Sequence, residues 1–350
     1  MDAIWNFLWS IISFYNFLLI RIVLVLVMMF LTAAYLVYFE RKISAWAQNR
    51  IGPNRVGPYG LLQSFADVFK LLFKEDIVPD KSNKKIHALA PMIALFVAFT
   101  TYAVIPIGPG ITIAGYNIPM VIADVNIGIL YVLALTSLGV YAITFAGWSS
   151  GSKYSLLGGI RSSAQMISYE ISMGFSVGGV LLLSESLRPI AIVESQSGLM
   201  WNAIVQPIGF ITFVVSAFAE TNRLPFDLPE AEPELVGGYH TEYSSMKFAA
   251  FFLAEYANML IASTLIVTLY LGGWQIPFIE KLGLSSWLVL LLQVAGFFVK
   301  VGALLFFFIW VRWSIPRFRY DQLMNLGWKV MFPLSLINII WVAVLIMILN

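Results

Sequence analysis

The sequence predicts an all-α integral membrane protein: about eight transmembrane helices and a cytoplasmic amphipathic helix, in a single polytopic domain over residues 1–350. Three observations carry this. Apolar residues make up 60% of the chain and charged residues 11%, against roughly half and a quarter in soluble domains. A single core stops growing near this length of 350 residues, so folding alone cannot hide that much apolar surface. The apolar residues also fall into runs near the roughly 20 residues that cross a bilayer, and mean hydropathy is +0.84.

Uncharged runs cover Ile22–Phe39, Ile86–Ala123, Val125–Ser152, Ser195–Ala219, Tyr256–Ile279, Leu282–Val299 and Val330–Asn350. Leu157–Ser184 is an eighth, carrying Arg161 and Glu170. The long second run breaks at Pro106, Gly108, Pro109 and Gly110, so it yields one span before the break and leads into the next. Asp124, Glu255 and Lys300 are read as lying inside spans. The first residues lack a basic region and a small-residue cleavage pattern, and read as retained helix.

Orientation follows from the basic residues. The segment 41–85 holds nine of the 21 Lys and Arg residues, and the odd-numbered loops together hold 16 against two in the even-numbered ones. Odd loops are therefore cytoplasmic and both termini periplasmic. Within the first cytoplasmic loop, residues 60–74 read GLLQSFADVFKLLFK. Leu61, Leu62, Phe65, Val68, Phe69, Leu72 and Phe73 recur at helical spacing, with Gln63, Asp67, Lys70 and Lys74 on the other side. The segment is too short to span and lies at the interface; a plain surface anchor is the simpler alternative.

Several function classes are excluded. A net charge of +2 gives no footprint for nucleic acid. Without cysteine the chain offers no disulfide, iron–sulfur ligation or thiolate zinc site, and two histidines leave little for haem. No glycine-rich nucleotide fingerprint follows a strand-like segment.

The informative residues are charges in unfavourable places. Asp124, Arg161, Glu170, Glu255 and Lys300 fall within the expected spans, where a charge costs on the order of 3 kcal/mol unless it pairs, neutralises or meets water. Lys300 has the simple reading of a snorkelling side chain. Glu255 has no basic neighbour in sequence and is a proton-site candidate. The loop 220–247 carries Asp227, Glu230, Glu232, Glu234 and Glu242 against Arg223 and Lys247. Pro225, Pro229 and Pro233 exclude a regular helix there. Extended, the loop puts Glu230, Glu232 and Glu234 on one face, where crowding disfavours full ionisation, as proton handling requires. A solvated acidic loop and a divalent-metal site are the alternatives, the latter weakened by the lack of other hard ligands nearby.

Five segments then carry a resemblance: ERK at 40–42, NRIGPNRVGPYGLLQSFADVFKLLFKE at 49–75, GWSSGSKYSLLGGIRSSAQMISYEISMG at 147–174, AETNRLPFDLPEAEPELVGGYHTEYSSMKFAAFFLAEYANM at 219–259 and PRFRYDQLMNLGWK at 316–329. In this order the chain resembles one membrane subunit of respiratory complex I, the proton-translocating NADH:quinone oxidoreductase. That is the H subunit of the bacterial complex and subunit 1 of the mitochondrial one. The resemblance implies eight transmembrane helices, a quinone tunnel opening to lipid beside the amphipathic helix, and a charged axis leading to antiporter-like pump subunits. It implies quinone as substrate, with NADH, FMN and iron–sulfur clusters confined to partner subunits and no metal in this chain. The implied partners are the hydrophilic-arm subunits on the cytoplasmic side, small membrane subunits, antiporter-like subunits and the lipid bilayer, with no nucleic acid. The implied location is the bacterial cytoplasmic (inner) membrane.

By motif, the quinone-tunnel residues implied are Arg41, Arg50, Gly52, Pro53, Phe65, Asp67, Phe69, Arg312 and Arg317. The implied proton relay is Glu170, Glu220, Glu230, Glu232, Glu234, Glu242 and Glu255 with Asp124, and Arg161 and Arg223 as counter-charges. Ser64 stands where the family commonly has proline, and Pro233 where EAESE is usual; both leave every charged position intact. Two other readings remain: the related subunit of membrane-bound hydrogenases, which lacks a quinone substrate, and a stand-alone transporter or channel. The basic glycine–proline loop beside the amphipathic helix favours the quinone version over the first. The large cytoplasmic loops disfavour the second.

Overall fold

The structure, a computed structural model, describes residues 2–113, 116–198, 200–227, 236–279 and 283–349. Glu230, Glu232 and Glu234 lie outside the described residues. Among those described, seven helices are long and apolar enough to cross a membrane. They are α1 (Asp2–Ala47), α3 (Lys84–Thr101, continued as a 3-10 turn to Val104), α4 (Gly128–Ser149), α5 (Lys153–Ser184), α9 (Ser245–Tyr270), α10 (Ser286–Ser314), and α11 (Tyr320–Leu326) running through a π turn at Gly327–Met331 into α12 (Phe332–Leu349). Between them lie α2 (Gln63–Leu72), α6 (Pro189–Ser195), α7 (Asn202–Val205) and α8 (Pro207–Glu220).

The expected span over Ser195–Ala219 differs. Instead of a helix over 195–219, Pro207 starts α8 at its first turn, and only 14 residues follow. At 1.5 Å per residue that is about 21 Å, short of the roughly 30 Å hydrocarbon thickness. The long run 86–123 also resolves differently: after the Pro106–Gly110 break the chain makes a small antiparallel hairpin, Ile111–Ile113 with Tyr116–Ile118. Asp124 therefore sits in a loop before α4, not inside a span. Conversely α1 continues to Ala47, so Arg41 stands on a helix and not in a loop over 41–85.

The helices alternate in direction, putting Ala47, Lys84, Ser149, Lys153, Glu220, Ser245, Ser314 and Tyr320 at one end of the bundle, called here the Arg41 end. α9 is the centre: 72% of its most apolar stretch is buried, against 22% for α1. α3, α1 and α10 pack on α9, while α5 packs on α4, α8 and α12. The helices that face outward expose Leu24, Leu291, Val299 and Met347, as lipid contact demands.

The opposite end of α9 closes by side-chain capping. Gln196 Nε2 donates to Thr268 O (2.9 Å) and Asn202 Nδ2 to Leu269 O (2.7 Å). Lys300 Nζ donates to Leu271 O (2.8 Å), Gly273 O (3.0 Å) and Gln275 O (2.7 Å), and stands 4.4 Å over the Trp201 ring. The lysine thus closes a helix terminus, where a cation is favoured, and does not simply snorkel.

Candidate functional site

At the Arg41 end, α1 delivers Glu40 into the protein, only 5% exposed. Three groups converge on its carboxylate from elements far away in sequence. Arg223 Nη1 lies 2.9 Å from Oε2, Tyr256 OH donates to the same oxygen at 2.7 Å, and Arg312 pairs with Oε1. Arg223 also lies 2.5 Å from Glu255 Oε1 through Nε, with its guanidinium 4.3 Å over the Tyr256 ring. Two acids and two bases leave the cluster neutral, the condition on which buried charges persist. Burial alone would lower the Arg223 pKa; the Glu255 and Glu40 carboxylates outweigh it and raise the pKa well above the usual value.

The turn that presents Arg223 is held by α5. Gln165 Nε2 donates to Ala219 O (2.8 Å), Phe226 O (2.8 Å) and Asn222 Oδ1 (3.3 Å), and Ser162 Oγ donates to Asn222 Oδ1 at 3.2 Å. Asn222 takes a positive φ of 51°, which asparagine tolerates better than most residues. Beyond the turn, Arg317 pairs with Asp227 at 3.2 Å, and Phe318 N donates to Pro225 O.

A cavity of about 60 Å³ adjoins this cluster, lined by Glu220, Glu255, Asn258, Thr136 and Asn222 among apolar groups. It is polar on one wall and large enough for more than one water. Glu170, on α5, accepts a hydrogen bond from Ser137 Oγ and lies close enough to Glu220 to repel it. Glu255, Glu220 and Glu170 thus form a series leading from the Glu40 cluster into the bundle.

The remaining residues named from sequence divide clearly. Arg41 and Asp67 meet at 2.6 Å, joining α1 to α2, and Gln63 Nε2 donates to Asp67 Oδ1 at 3.0 Å. α2 begins at Gln63, and Ser64 anchors it by donating to Ala34 O at 2.6 Å, a bond proline could not make. Phe65 meets the Tyr35 ring edge-on, while Phe69 stays 59% exposed. Gly52 packs on the α1 backbone beside Arg41 O, and the Pro53 carbonyl presses on Gly60, where a Cβ would come within 2.3 Å of it and φ is +83°. Arg50 Nε donates to Gln48 Oε1 at 2.7 Å, a neighbour in sequence and not part of the cluster. Arg161 lies over the Tyr320 ring at 5.8 Å and Glu242 is half-buried in the turn before α9. Asp124 pairs with Arg188 at the opposite end of the bundle, well removed from the carboxylate series. Among the described residues no group of three His, Cys, Asp or Glu converges to hold a metal ion.

Sequence reasoning missed Glu40 and Tyr256, although both sat in plain view, Glu40 at the end of an apolar run and Tyr256 beside Glu255. A carboxylate ending an apolar run was the available signal.

The fold and the site define a polytopic helical membrane protein with buried, paired charges beside a cavity that can hold water, the setting in which charges persist inside a membrane. A model of the NADH dehydrogenase family matches residues 20–343, and the chain belongs to that family. It is 56% identical over 326 residues to "NADH-quinone oxidoreductase subunit 8" of Rhodothermus marinus, covering 90% of this chain and 93% of that protein. Against the H subunit of the NADH-quinone oxidoreductase of Salinibacter ruber it is 54% identical over 330 residues, covering 91% and 93%. Against the H 2 subunit of the NADH-quinone oxidoreductase of Geobacter metallireducens it is 50% identical over 345 residues, covering 95% and 96%.

Proposed function

We propose that this chain is the quinone-tunnel and energy-coupling subunit of a proton-pumping NADH:quinone oxidoreductase, active only within that assembly. The observation that carries the reading is the continuity of charge: Arg41–Asp67 on α1 and α2, Glu40 with Arg223, Arg312 and Glu255 beside it, and the Glu220–Glu170 pair beyond. In this reading a quinone tail enters between α1 and α2 past Phe65 and Phe69, with Gly52 and Pro53 closing the loop above. Arg41, Arg50, Asp67, Arg312 and Arg317 set the charge around the reacting end, which neighbouring hydrophilic subunits hold. NADH, FMN and iron–sulfur clusters belong to those subunits.

Reduction of a quinone to a quinol takes up electrons and protons in equal number. The charge change near Asp67 and Glu40 alters which carboxylates hold protons. Glu255 exchanges its pairing with Arg223 for a proton, and the proton passes through cavity water to Glu220 and Glu170. Glu230, Glu232, Glu234 and Glu242 extend the relay toward the loop, with Arg161 and Arg223 as counter-charges. Asp124, paired with Arg188 at the far end, takes no part in this path. The relay delivers charge to small membrane and antiporter-like subunits. The Arg41 end faces the cytoplasm of a bacterial inner membrane, with both termini periplasmic, and residues 1–350 form one domain.

The test uses membranes holding the whole complex. Asp67→Asn should depress NADH oxidation with a short-chain quinone while leaving NADH oxidation with ferricyanide unchanged. Equal loss in both would be a defect of assembly, and loss in neither would remove Asp67 from quinone chemistry.

A further inference from the structure

His87 is a titratable side chain with no part in the relay above. It stands in the first turn of α3, is 0% exposed, and stacks on Tyr243 with ring centroids 3.9 Å apart and planes 6° apart. No side chain among the described residues hydrogen-bonds the ring, and the Glu242 backbone can serve one of its nitrogens, which leaves the other without a partner. Burying an imidazole with a ring nitrogen unpaired carries a cost that phenylalanine, filling the same space, would avoid. The ring's capacity to bind a proton is what distinguishes the two.

Its position gives that capacity a use. His87, Ala90, Ala94 and Val97 follow one face of α3. Ala94 and Val97 line the cavity that holds Glu220 and Glu255, about 10 and 15 Å along the helix from His87. Between them lies an apolar plug of Ala90, Tyr239, Tyr243 and Phe251, with Phe251 edge-on to Tyr243 at 4.9 Å and to Tyr239 at 5.5 Å. On the other side of His87 is the surface. Lys247 and Asp76 act on the ring electrostatically and pair with one another at 2.8 Å, with Asp76 46% exposed. The Glu242 backbone comes near the ring, and Tyr243 OH lies 3.3 Å from Ser149 Oγ at the end of α4. On its own helix Lys84 and Lys85 are exposed.

We propose that His87 is the proton gate between the Arg41-end surface and the Glu220–Glu255 cavity. Neutral, it seals the plug by stacking on Tyr243. A proton from surface water adds to the free ring nitrogen lone pair, and the new N–H then needs an acceptor that the plug lacks. The Tyr243 turn moves off α3, water enters, the proton passes through that water to the Glu220 carboxylate, and the ring returns to neutral. The inference rests on the relay reading given above.

The experiment measures NADH oxidation with short-chain quinone in membranes holding the whole complex, over about pH 5.5 to 8, where an ordinary imidazole titrates. Wild type, His87→Gln, His87→Phe and Glu220→Gln are compared, with ferricyanide reduction as the control for assembly. The expected result is a loss of about 100-fold or more in both His87 variants, the size typical of a missing acid–base group, together with a flattened pH profile. An unchanged profile in His87→Gln overturns the gate, including the case in which the rate falls at every pH alike, since that is a packing effect. Where ferricyanide reduction shows His87→Phe to be poorly assembled, His87→Gln alone decides. Normal turnover in Glu220→Gln removes the relay itself, whereas loss there with an unchanged His87→Gln profile removes the gate alone.

Discussion

Replacing Arg223 by methionine removes the cation shared by Glu40 and Glu255 and leaves a side chain of similar length. Glu40 keeps Arg312 and Tyr256. Glu255 loses its ion pair in a site where its side chain is 14% exposed. Removing one partner of a buried pair typically costs about 3–5 kcal/mol. Here the cost has a ceiling, because the stranded carboxylate can take up a proton. Neutralising a carboxylate of ordinary pKa near 4.3 costs about 1.4 kcal/mol per pH unit, hence about 4 kcal/mol at pH 7 and about 2 kcal/mol at pH 5.5. Arg223→Met should therefore destabilise strongly at neutral pH and roughly half as much at pH 5.5. Adding Glu255→Gln should recover most of the loss at both. The assay is the temperature at which the detergent-solubilised complex loses quinone reduction, with ferricyanide reduction as the control for the hydrophilic arm. A destabilisation that does not shrink with acid, or that Glu255→Gln leaves in place, refutes the assignment of Glu255 as the stranded charge.

Two further variants test the frame around the site. Lys300→Met withdraws the donor from three carbonyls at the end of α9 and should destabilise by about 2–3 kcal/mol, read as an earlier thermal inactivation; an unchanged midpoint would mean that water replaces the ammonium. At Gly158 on α5, a Cβ would come within 2.8 Å of Gly238 Cα and 3.0 Å of Tyr239 N, so Gly158→Ala should cost about 1–3 kcal/mol by pushing the loop before α9 away. Faster proteolysis of that loop checks it, and wild-type resistance would show that α5 can give way.

The membrane class, the approximate spans, the amphipathic α2 and the family are all legible in the order of residues. They rest on local quantities: length of an apolar run, helical spacing, charge per loop, and motifs of contiguous residues. Glu170, Glu220, Glu255 and Arg223 stand out at the same level, because a charge beside or within an apolar run is conspicuous wherever it points. Asp124 is misplaced by such reading, since hydropathy does not distinguish a hairpin and loop from a helix of the same composition. α8 is made too long for the same reason, although Pro207 inside the run is a local signal of where the helix begins.

Which charges meet is a property of the packed bundle alone. Glu40 joins Arg223 across 183 residues of chain and Arg312 across 272, so neither pairing leaves a periodic trace. The same holds for Lys300, whose three acceptors are carbonyls at the end of another helix, and for His87, on which Tyr243 stacks from the far end of the loop 220–247. Insertion into a bilayer is governed by each segment's own composition, whereas the partners of a buried charge are set by how separately inserted helices pack.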